Sequence, residues 1–128
     1  MNASKRTAMG VLAGALCGTW LSPAAAHDPP KPRYGGVVQQ AEDIDFELVT
    51  VGDDSVIYLF DHGKPKPAGG ISGKLAVVDG GPKQEIELTF AGSNKLQAKG
   101  FRAPPRAKLA AQLHNVGGKS ITVRFQTK

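Results

Sequence analysis

Apolar and polar residues alternate along most of the chain, and clusters of Gly, Pro, Asn and Asp interrupt the alternation about every 8–12 residues. In the clearest example, Ile44, Phe46 and Leu48 share one face while Asp45 and Glu47 share the other. A period of two residues is typical of a β-strand with one buried face. No segment within this pattern shows a helical period, so the sequence predicts an all-β domain.

The alternation predicts about eight short strands, which favours an immunoglobulin-like β-sandwich of about 7–8 strands. The third strand, residues 56–60, is apolar at every position, so we expect a central strand that is covered on both faces. A long loop at residues 61–70 follows it. The predicted strands lie near residues 37–40, 44–48, 56–60, 75–77, 85–90, 96–98, 109–113 and 121–125.

The start of the chain has the pattern of a secretory signal peptide. Lys5 and Arg6 form a positively charged n-region, and an apolar h-region covers residues 8–21. Small residues end the segment at Ala26. We therefore expect export to the periplasm, with cleavage after Ala26 and His27 as the new N-terminus. The apolar stretch is too short for a comfortable membrane span, so no membrane anchor is expected.

The predicted organisation is a signal peptide, a Pro-rich arm and a β-sandwich domain, at residues 1–26, 27–34 and 35–128. Removal of 26 of the 128 residues takes away two of the 16 basic side chains and none of the 11 acidic ones. The formal net charge of the cleaved chain is then +3. The only cysteine, Cys17, and both methionines leave with the signal peptide. A disulfide and a soft Cu(I) site are therefore excluded from the cleaved chain. The basic residues are scattered, which predicts no patch for nucleic acid or membrane.

Most of the side chains that could bind a metal are expected at one pole of the predicted sandwich. Short connections alternate strand direction, so the ends of the first, third, fifth and seventh strands share this pole. Imidazole nitrogen and carboxylate oxygen together suit Zn²⁺ or Cu²⁺, which makes Asp61, His62 and His114 candidate ligands. The alternative is that His62 is a solvated turn residue and that Asp61 forms an Asx-type turn. The polar side chains at this pole are Glu42, Asp43, Asp61, His62, Asn94 and His114.

The expected N-terminus at His27 is a second candidate metal site. A free α-amine and the imidazole of the same residue can chelate one Cu²⁺, and Asp28 can add an oxygen. Pro29 has no backbone N–H, so this two-nitrogen chelate needs further ligands from elsewhere. The arm is expected to start at the opposite pole and can extend ~20 Å at ~3.1 Å per residue. The alternative is a disordered arm that binds nothing.

No catalytic signature is present, and we expect the protein not to be an enzyme. Residues 68–75 resemble a phosphate-binding loop, but Ala68 replaces its first Gly and Leu75 replaces its final Ser or Thr. The chain also lacks the G-x-S-x-G turn of a nucleophilic serine.

Several short, turn-rich motifs resemble those of a known family. The motifs are Tyr34-Gly35-Gly36-Val37, Asp45-Phe46-Glu47-Leu48-Val49, Tyr58-Leu59-Phe60-Asp61-His62-Gly63-Lys64-Pro65, Gly70-Ile71-Ser72-Gly73-Lys74, Asn94-Lys95-Leu96 with Gly100, and Gly117-Gly118-Lys119 leading to Arg124-Phe125. They resemble small exported proteins of proteobacteria and the related β-rich segment at the N-terminus of heavy-metal RND efflux adaptors, of the cobalt–zinc–cadmium and copper type.

The resemblance spans most of the chain after the predicted signal peptide. It implies a periplasmic accessory domain in metal or envelope stress, partnered by an RND-type metal efflux adaptor, and not an enzyme. Family members often carry His directly before the Gly pair, where this chain has Tyr34.

Two functions follow as hypotheses. In the first, the protein binds divalent copper or zinc through His27, Asp61, His62 and His114, and sequesters the ion or hands it to an efflux partner. In the second, it is a structural or protein-interaction module of the cell envelope that binds no metal. Residues 63–70 and an exposed edge strand would then hold a partner by strand addition.

Overall fold

The computed structural model of the chain describes residues 30–78 and 83–128. In this part of the chain no helix is long and apolar enough to cross a membrane. The predicted all-β class is confirmed, whereas the predicted signal peptide and His27 lie outside the described residues. The described residues form nine strands: β1 (Val37–Ala41), β2 (Ile44–Val51), β3 (Asp54–Asp61), β4 (Lys64–Pro65), β5 (Ser72–Val77), β6 (Gln84–Phe90), β7 (Lys95–Ala98), β8 (Lys108–Val116) and β9 (Lys119–Gln126).

Neighbouring strands pair antiparallel in the order β1-β2-β3-β7-β6-β5-β8-β9, and β4 pairs with β3. Strands β5, β6 and β7 are consecutive neighbours, and β8 returns to pair with β5, which is a Greek-key order. Because β6 pairs with β5 through residues 84–88 and with β7 through Thr89 and Phe90, it joins the two packed sheets. β1 and β9 lie side by side at the two ends of this order, so the sandwich is nearly a closed barrel.

The hydrophobic core fills the space between the two sheets, and alternate residues of each long strand enter it. Fully burying one such side chain contributes about 1.5–3 kcal/mol to folding. The chain has one cysteine, so this core holds the domain without an internal disulfide. The large side chains that are fully buried include Phe46, Ile57, Leu59, Leu75, Leu88, Leu96, Leu109 and Leu113.

Strand β3 is covered on both faces, as its apolar sequence predicts. Ile57 and Leu59 enter the core, whereas Val56 and Phe60 point to the outer face of the sheet and are nevertheless buried. Residues 33–36 cover this outer face near Phe60, where the guanidinium of Arg33 lies 4.3 Å from the ring centroid. The segment before β1 therefore acts as a partial third layer.

Most of the segment from Asp61 to Gly70 is the loop that the sequence predicts, but it is held against the sheet. Lys64 and Pro65 form β4 against the end of β3. Beyond it, the Lys66 amide donates to the Leu59 carbonyl at 3.0 Å, and the Ala68 amide donates to the Ser93 carbonyl at 2.9 Å. These bonds fix the middle of the segment against the sheet, where its two prolines have no amide to donate.

Gly73 of β5 provides a test of this packing. An added Cβ there would lie 2.1 Å from the backbone oxygen of Gln112 on β8, so Gly73→Ala forces two paired strands apart. We expect the free energy of unfolding to fall by about 1–3 kcal/mol, measured by urea titration. The matched control is Gly69→Ala, whose Cβ would meet no atom within 4 Å. An equal loss in both variants would contradict the strand register.

Candidate functional site

A tight turn joins β3 to β4 and carries the residue pair that the sequence singles out. His62 and Gly63 both have positive φ, at 51° and 83°. Positive φ at both central residues is the geometry of a two-residue hairpin turn, in which Asn-Gly is the usual pair. His62 occupies the position that Asn usually takes, a conformation for which His is one of the more tolerant residues. The turn therefore holds the imidazole out from the sheet.

Asp61 orients the imidazole of His62. Its Oδ1 lies 2.5 Å from Nδ1 of the His62 ring, while the His62 side chain is 85% exposed. When Nδ1–H donates to this carboxylate, the lone pair is on Nε2, which faces solvent. A carboxylate bonded to the second ring nitrogen is the usual partner of a metal-binding histidine.

The predicted pole residues share one end of the fold but do not form one cluster. Asp61 pairs with Ile44 beside the β1–β2 turn that carries Glu42 and Asp43. Glu42 forms an ion pair with Lys119 at 3.5 Å. Within residues 30–78 and 83–128, no three His, Cys, Asp or Glu side chains come close enough to hold a metal ion.

The other two predicted pole residues have separate partners. Asn94 is buried, and its side-chain amide donates to the Leu59 carbonyl at 3.0 Å, so it is a structural residue. The Nδ1 atom of His114 lies 3.1 Å from the hydroxyl of Ser120 across the β8–β9 pair. Of the predicted ligands in the described residues, only Asp61 and His62 are therefore brought together.

A buried carboxylate on β2 holds the segment that precedes β1. Glu47 is 1% exposed and accepts three backbone N–H bonds, from Arg33 at 2.7 Å, Tyr34 at 2.8 Å and Gly36 at 2.9 Å. We call this arrangement the Glu47 clamp. Hydrogen bonds to a charged acceptor are roughly twice as strong as neutral ones, and here they replace the water that burial removes.

The clamped segment runs back toward the Asp61–His62 turn. The chain reverses at Gly35, where φ is 77°. The Tyr34 ring then stacks on Tyr58 with centroids 4.2 Å apart. Further along the same face, the Arg33 guanidinium lies over Phe60 and donates to the Gly63 carbonyl at 2.6 Å. The described part of the arm thus reaches the turn, whereas the start of the arm at His27 lies outside the described residues.

Sequence alternation cannot identify the Glu47 clamp, because it assigns Glu47 to the solvent face of β2. Two features of the sequence do indicate a covered outer face. One is the apolar run of β3, whose outward residues would otherwise meet water. The other is the Gly35-Gly36 pair: a Cβ at Gly36 would lie 2.0 Å from the Leu48 oxygen, so only glycine fits this approach.

Acidic and basic residues concentrate in different parts of the sequence. Residues 34–63, which span β1 to β3, contain no Lys or Arg. Basic residues predominate from residue 64 onward. Strands β1 to β3 therefore carry a negative charge that attracts cations, and the basic side chains that meet them include Arg33, Lys64 on β4 opposite Asp61, and Lys119 beside Glu42. The seven carboxylates of residues 34–63 are Glu42, Asp43, Asp45, Glu47, Asp53, Asp54 and Asp61.

A groove of about 390 Å³ lies away from this turn. Gly36, Thr50, Arg102 and Pro104 are among its lining residues, and no carboxylate or imidazole side chain lines it. It therefore adds no metal ligand.

Comparisons of the chain with protein-family models, with curated proteins and with solved structures find no match.

Titration of Tyr58 provides a test of the covered outer face. Burial, followed by the nearby Tyr34 and Glu47, raises the pKa of Tyr58 above its ordinary value of 10.0. The folded protein then holds this proton more tightly than the unfolded chain, so the stabilisation is present below pH 10 and is lost as pH rises through the folded pKa. We expect wild-type protein to lose stability more steeply than Tyr58→Phe between about pH 9 and about pH 11, measured by urea titration.

The matched control for this titration is Tyr34→Phe, which keeps the buried hydroxyl of Tyr58. Tyr34 itself is 52% exposed, so its variant should retain most of the wild-type pH dependence. Identical alkaline profiles for the wild type and Tyr58→Phe would contradict the covered face.

Proposed function

We propose that the protein is a periplasmic accessory binding protein that takes up Cu²⁺ or Zn²⁺ in metal resistance or efflux. The ligands are Nε2 of His62 and the α-amine and imidazole of His27, and Asp61 orients His62. The observation that carries this proposal is the hydrogen bond from Arg33 to the Gly63 carbonyl, which brings the arm beside His62.

The donor set matches the chemistry of these ions. Imidazole, amine and carboxylate groups suit Cu²⁺ and Zn²⁺, and the chelate at His27 needs a further ligand that the arm lacks. His27 is six residue steps from Arg33, and an extended Pro-rich chain of six steps spans ~19 Å at ~3.1 Å per residue. His62 adjoins the residue that Arg33 contacts, so it lies within this span. Export to the periplasm and cleavage after Ala26 are part of the proposal, because the α-amine of His27 is free only after that cleavage.

The exposed position of His62 favours transfer of the bound metal ion to another protein as well as its storage. An ion bound at an 85% exposed side chain stays accessible to the ligands of an acceptor protein. The partner that we propose is an RND-type metal efflux adaptor, as the motif resemblance implies. No enzyme activity is proposed.

A second candidate function is a protein-interaction module of the cell envelope that binds no metal. The seam between β1 and β9 favours it, since among the described strands these two lie side by side without pairing with each other, and each has only one paired neighbour. Such an edge can accept a partner strand through backbone hydrogen bonds. Residues 63–70 contribute less to this function, because β4 and the amides of Lys66 and Ala68 are already paired.

Calorimetric titration of Cu²⁺ and Zn²⁺ into protein that starts at His27 tests the metal function. We expect binding in the micromolar range or tighter, and at least about tenfold weaker binding by His62→Ala because one nitrogen ligand is lost. His114→Ala is the matched control and should bind as wild type does, since His114 pairs with Ser120 on another hairpin.

The other outcomes of this titration separate the hypotheses. Tight Cu²⁺ binding that His62→Ala leaves unchanged would confine the site to the amine and imidazole of His27. Binding only in the millimolar range would refute the metal function and leave strand addition at β1 or β9.

A further inference from the structure

We propose that the end of the domain opposite the Asp61–His62 turn binds the surface of a lipid bilayer that carries anionic headgroups. Strand β3 ends at this turn and begins at the opposite end of the fold, where β2 and β9 end and β8 begins. The proposal uses only side chains that the structure describes and does not depend on the metal function. We call this region the basic end and define it as residues 50–54, 77–78, 83–85, 99–108 and 124–128.

Positive charge is concentrated in the part of the sequence that builds most of the basic end. Residues 88–128, which include β7, β8 and β9, contain eight Lys or Arg and no Asp or Glu. The eight are scattered among other residues, so spacing along the chain predicts no basic patch. An unbalanced charge in one part of a fold nevertheless produces a positive potential over its surface.

The fold brings four of these cations into two adjoining grooves. Arg102 and Lys128 line the groove of about 390 Å³. Lys108 and Arg124 line a second groove of about 260 Å³. Residues 126–128 contribute to both grooves, which therefore adjoin. No carboxylate side chain of a described residue lines either groove, so an anion that enters meets cations alone.

The pairing of β8 with β9 places two of the cations side by side. Lys108 lies opposite Gln126, and Arg124 lies opposite Ala110, so the two cations are diagonal neighbours on the exposed face of the sheet. Diagonal neighbours are about 7–8 Å apart, within reach of one headgroup or of two adjacent ones. Within the described residues neither cation forms an ion pair. An external anion would therefore relieve their mutual repulsion.

The described acids at the basic end do not cancel this charge. Asp54 accepts hydrogen bonds from the Gln97 side chain at 2.8 Å and from the Gly100 amide at 2.6 Å. Glu85 lies 3.8 Å from the ammonium group of Lys83. The described cations at the basic end outnumber the acids Asp53, Asp54 and Glu85, and they are Lys83, Lys99, Arg102, Arg106, Lys108, Arg124 and Lys128.

Two exposed valines add an apolar component to the basic end. Val51 ends β2 and Val78 follows β5, and their exposed fractions are 48% and 50%. Val78 lines the second groove, and its amide donates to the Lys108 carbonyl at 2.9 Å. Apolar side chains among cations suit a bilayer interface, where the apolar groups enter the boundary below the headgroups and the cations stay at the phosphates.

This combination favours a lipid surface over nucleic acid. Proteins that bind single-stranded nucleic acid place exposed aromatic rings beside their cations, so that bases can stack on them. Among the described residues of the second groove, the one aromatic side chain is Phe125, which is only 3% exposed. The exposed valines, in contrast, have no role in binding a polynucleotide backbone.

Cosedimentation with lipid vesicles tests the proposal. Wild-type protein, prepared as for the metal titration, should bind vesicles of equal parts phosphatidylglycerol and phosphatidylcholine at least about tenfold more tightly than phosphatidylcholine alone. Binding should weaken between about 0.01 M and about 0.15 M salt, because the Debye length falls from about 30 Å to about 8 Å. Equal binding to both kinds of vesicle would overturn the proposal.

A double variant, Lys108→Gln with Arg124→Gln, locates the binding surface. Each cation near an anionic bilayer contributes about fivefold to affinity, so we expect a loss of about ten- to thirtyfold. The matched control is Lys64→Gln with Lys119→Gln, which removes the same charge at the other end of the fold and should cost less than about threefold. Equal losses in the two variants would show that binding follows net charge and would overturn the assignment to the basic end.

A second double variant, Val51→Ser with Val78→Ser, tests the apolar contribution at constant charge. We expect binding to anionic vesicles to weaken about three- to tenfold, because these side chains no longer enter the bilayer interface. Phe90→Ser is the control, since Phe90 is 52% exposed but lies at the other end of β6. Unchanged binding by the valine variant, or release of wild-type protein from vesicles by an oligonucleotide at equal phosphate concentration, would overturn the choice of a lipid surface.

All substituted side chains are exposed, so each variant should fold as wild type does. Every variant also shares the chain before residue 30, so any vesicle binding through that part is common to all of them and cancels in the comparison. If a variant is nevertheless unstable in urea titration, the lipid and salt dependence of wild-type binding still decides whether the protein binds an anionic bilayer. Failure of the Cu²⁺ titration leaves this proposal unchanged, because none of its residues is a proposed metal ligand.

Discussion

The burial of Glu47 is the constraint on which the outer face of this domain depends. A carboxylate that is removed from water destabilises the fold unless hydrogen bonds replace its hydration, and here three backbone amides of the arm do so. The same segment covers the outer face of β3 at Tyr58 and Phe60, where Tyr34 stacks on Tyr58 and Arg33 lies over Phe60. Arm docking and coverage of this part of the central strand therefore depend on the same residues.

Docking also connects two regions that the sequence keeps apart. The arm precedes β1, and the Asp61–His62 turn follows β3, yet the Arg33 side chain bonds to Gly63 in that turn. The turn offers one oriented imidazole, and one nitrogen ligand is too few for a tight metal site on its own. The chelate that we propose at His27 would supply the missing donors, which is why the proposed function joins the arm and the turn.

The prediction of strands succeeded where alternation had a single physical cause. Residues 44–48 and 109–113 alternate because one face enters the core, and both lie within observed strands. Prediction was incomplete at residues 61–70, where it gave the loop but neither β4 nor the contacts that hold the loop, because Gly and Pro indicate a turn locally but say nothing about distant partners. The backbone acceptors on Leu59 and Ser93 that fix this segment are chosen by the packing of β3 and the β6–β7 turn.

Some features of the candidate site could likewise be predicted from the sequence, and others could not. By itself, the sequence determined the all-β class, most of the core positions and the placement of Asp61 and His62 together at the end of the third strand, because alternation and adjacency are local properties of the chain. Only the tertiary structure decided that Glu47 is buried, that the arm folds back over Tyr58 and Phe60, and that His114 belongs to a separate hairpin. These features depend on contacts between residues far apart in the chain, and a period of two residues records only which face of a strand a side chain occupies, not what covers that face.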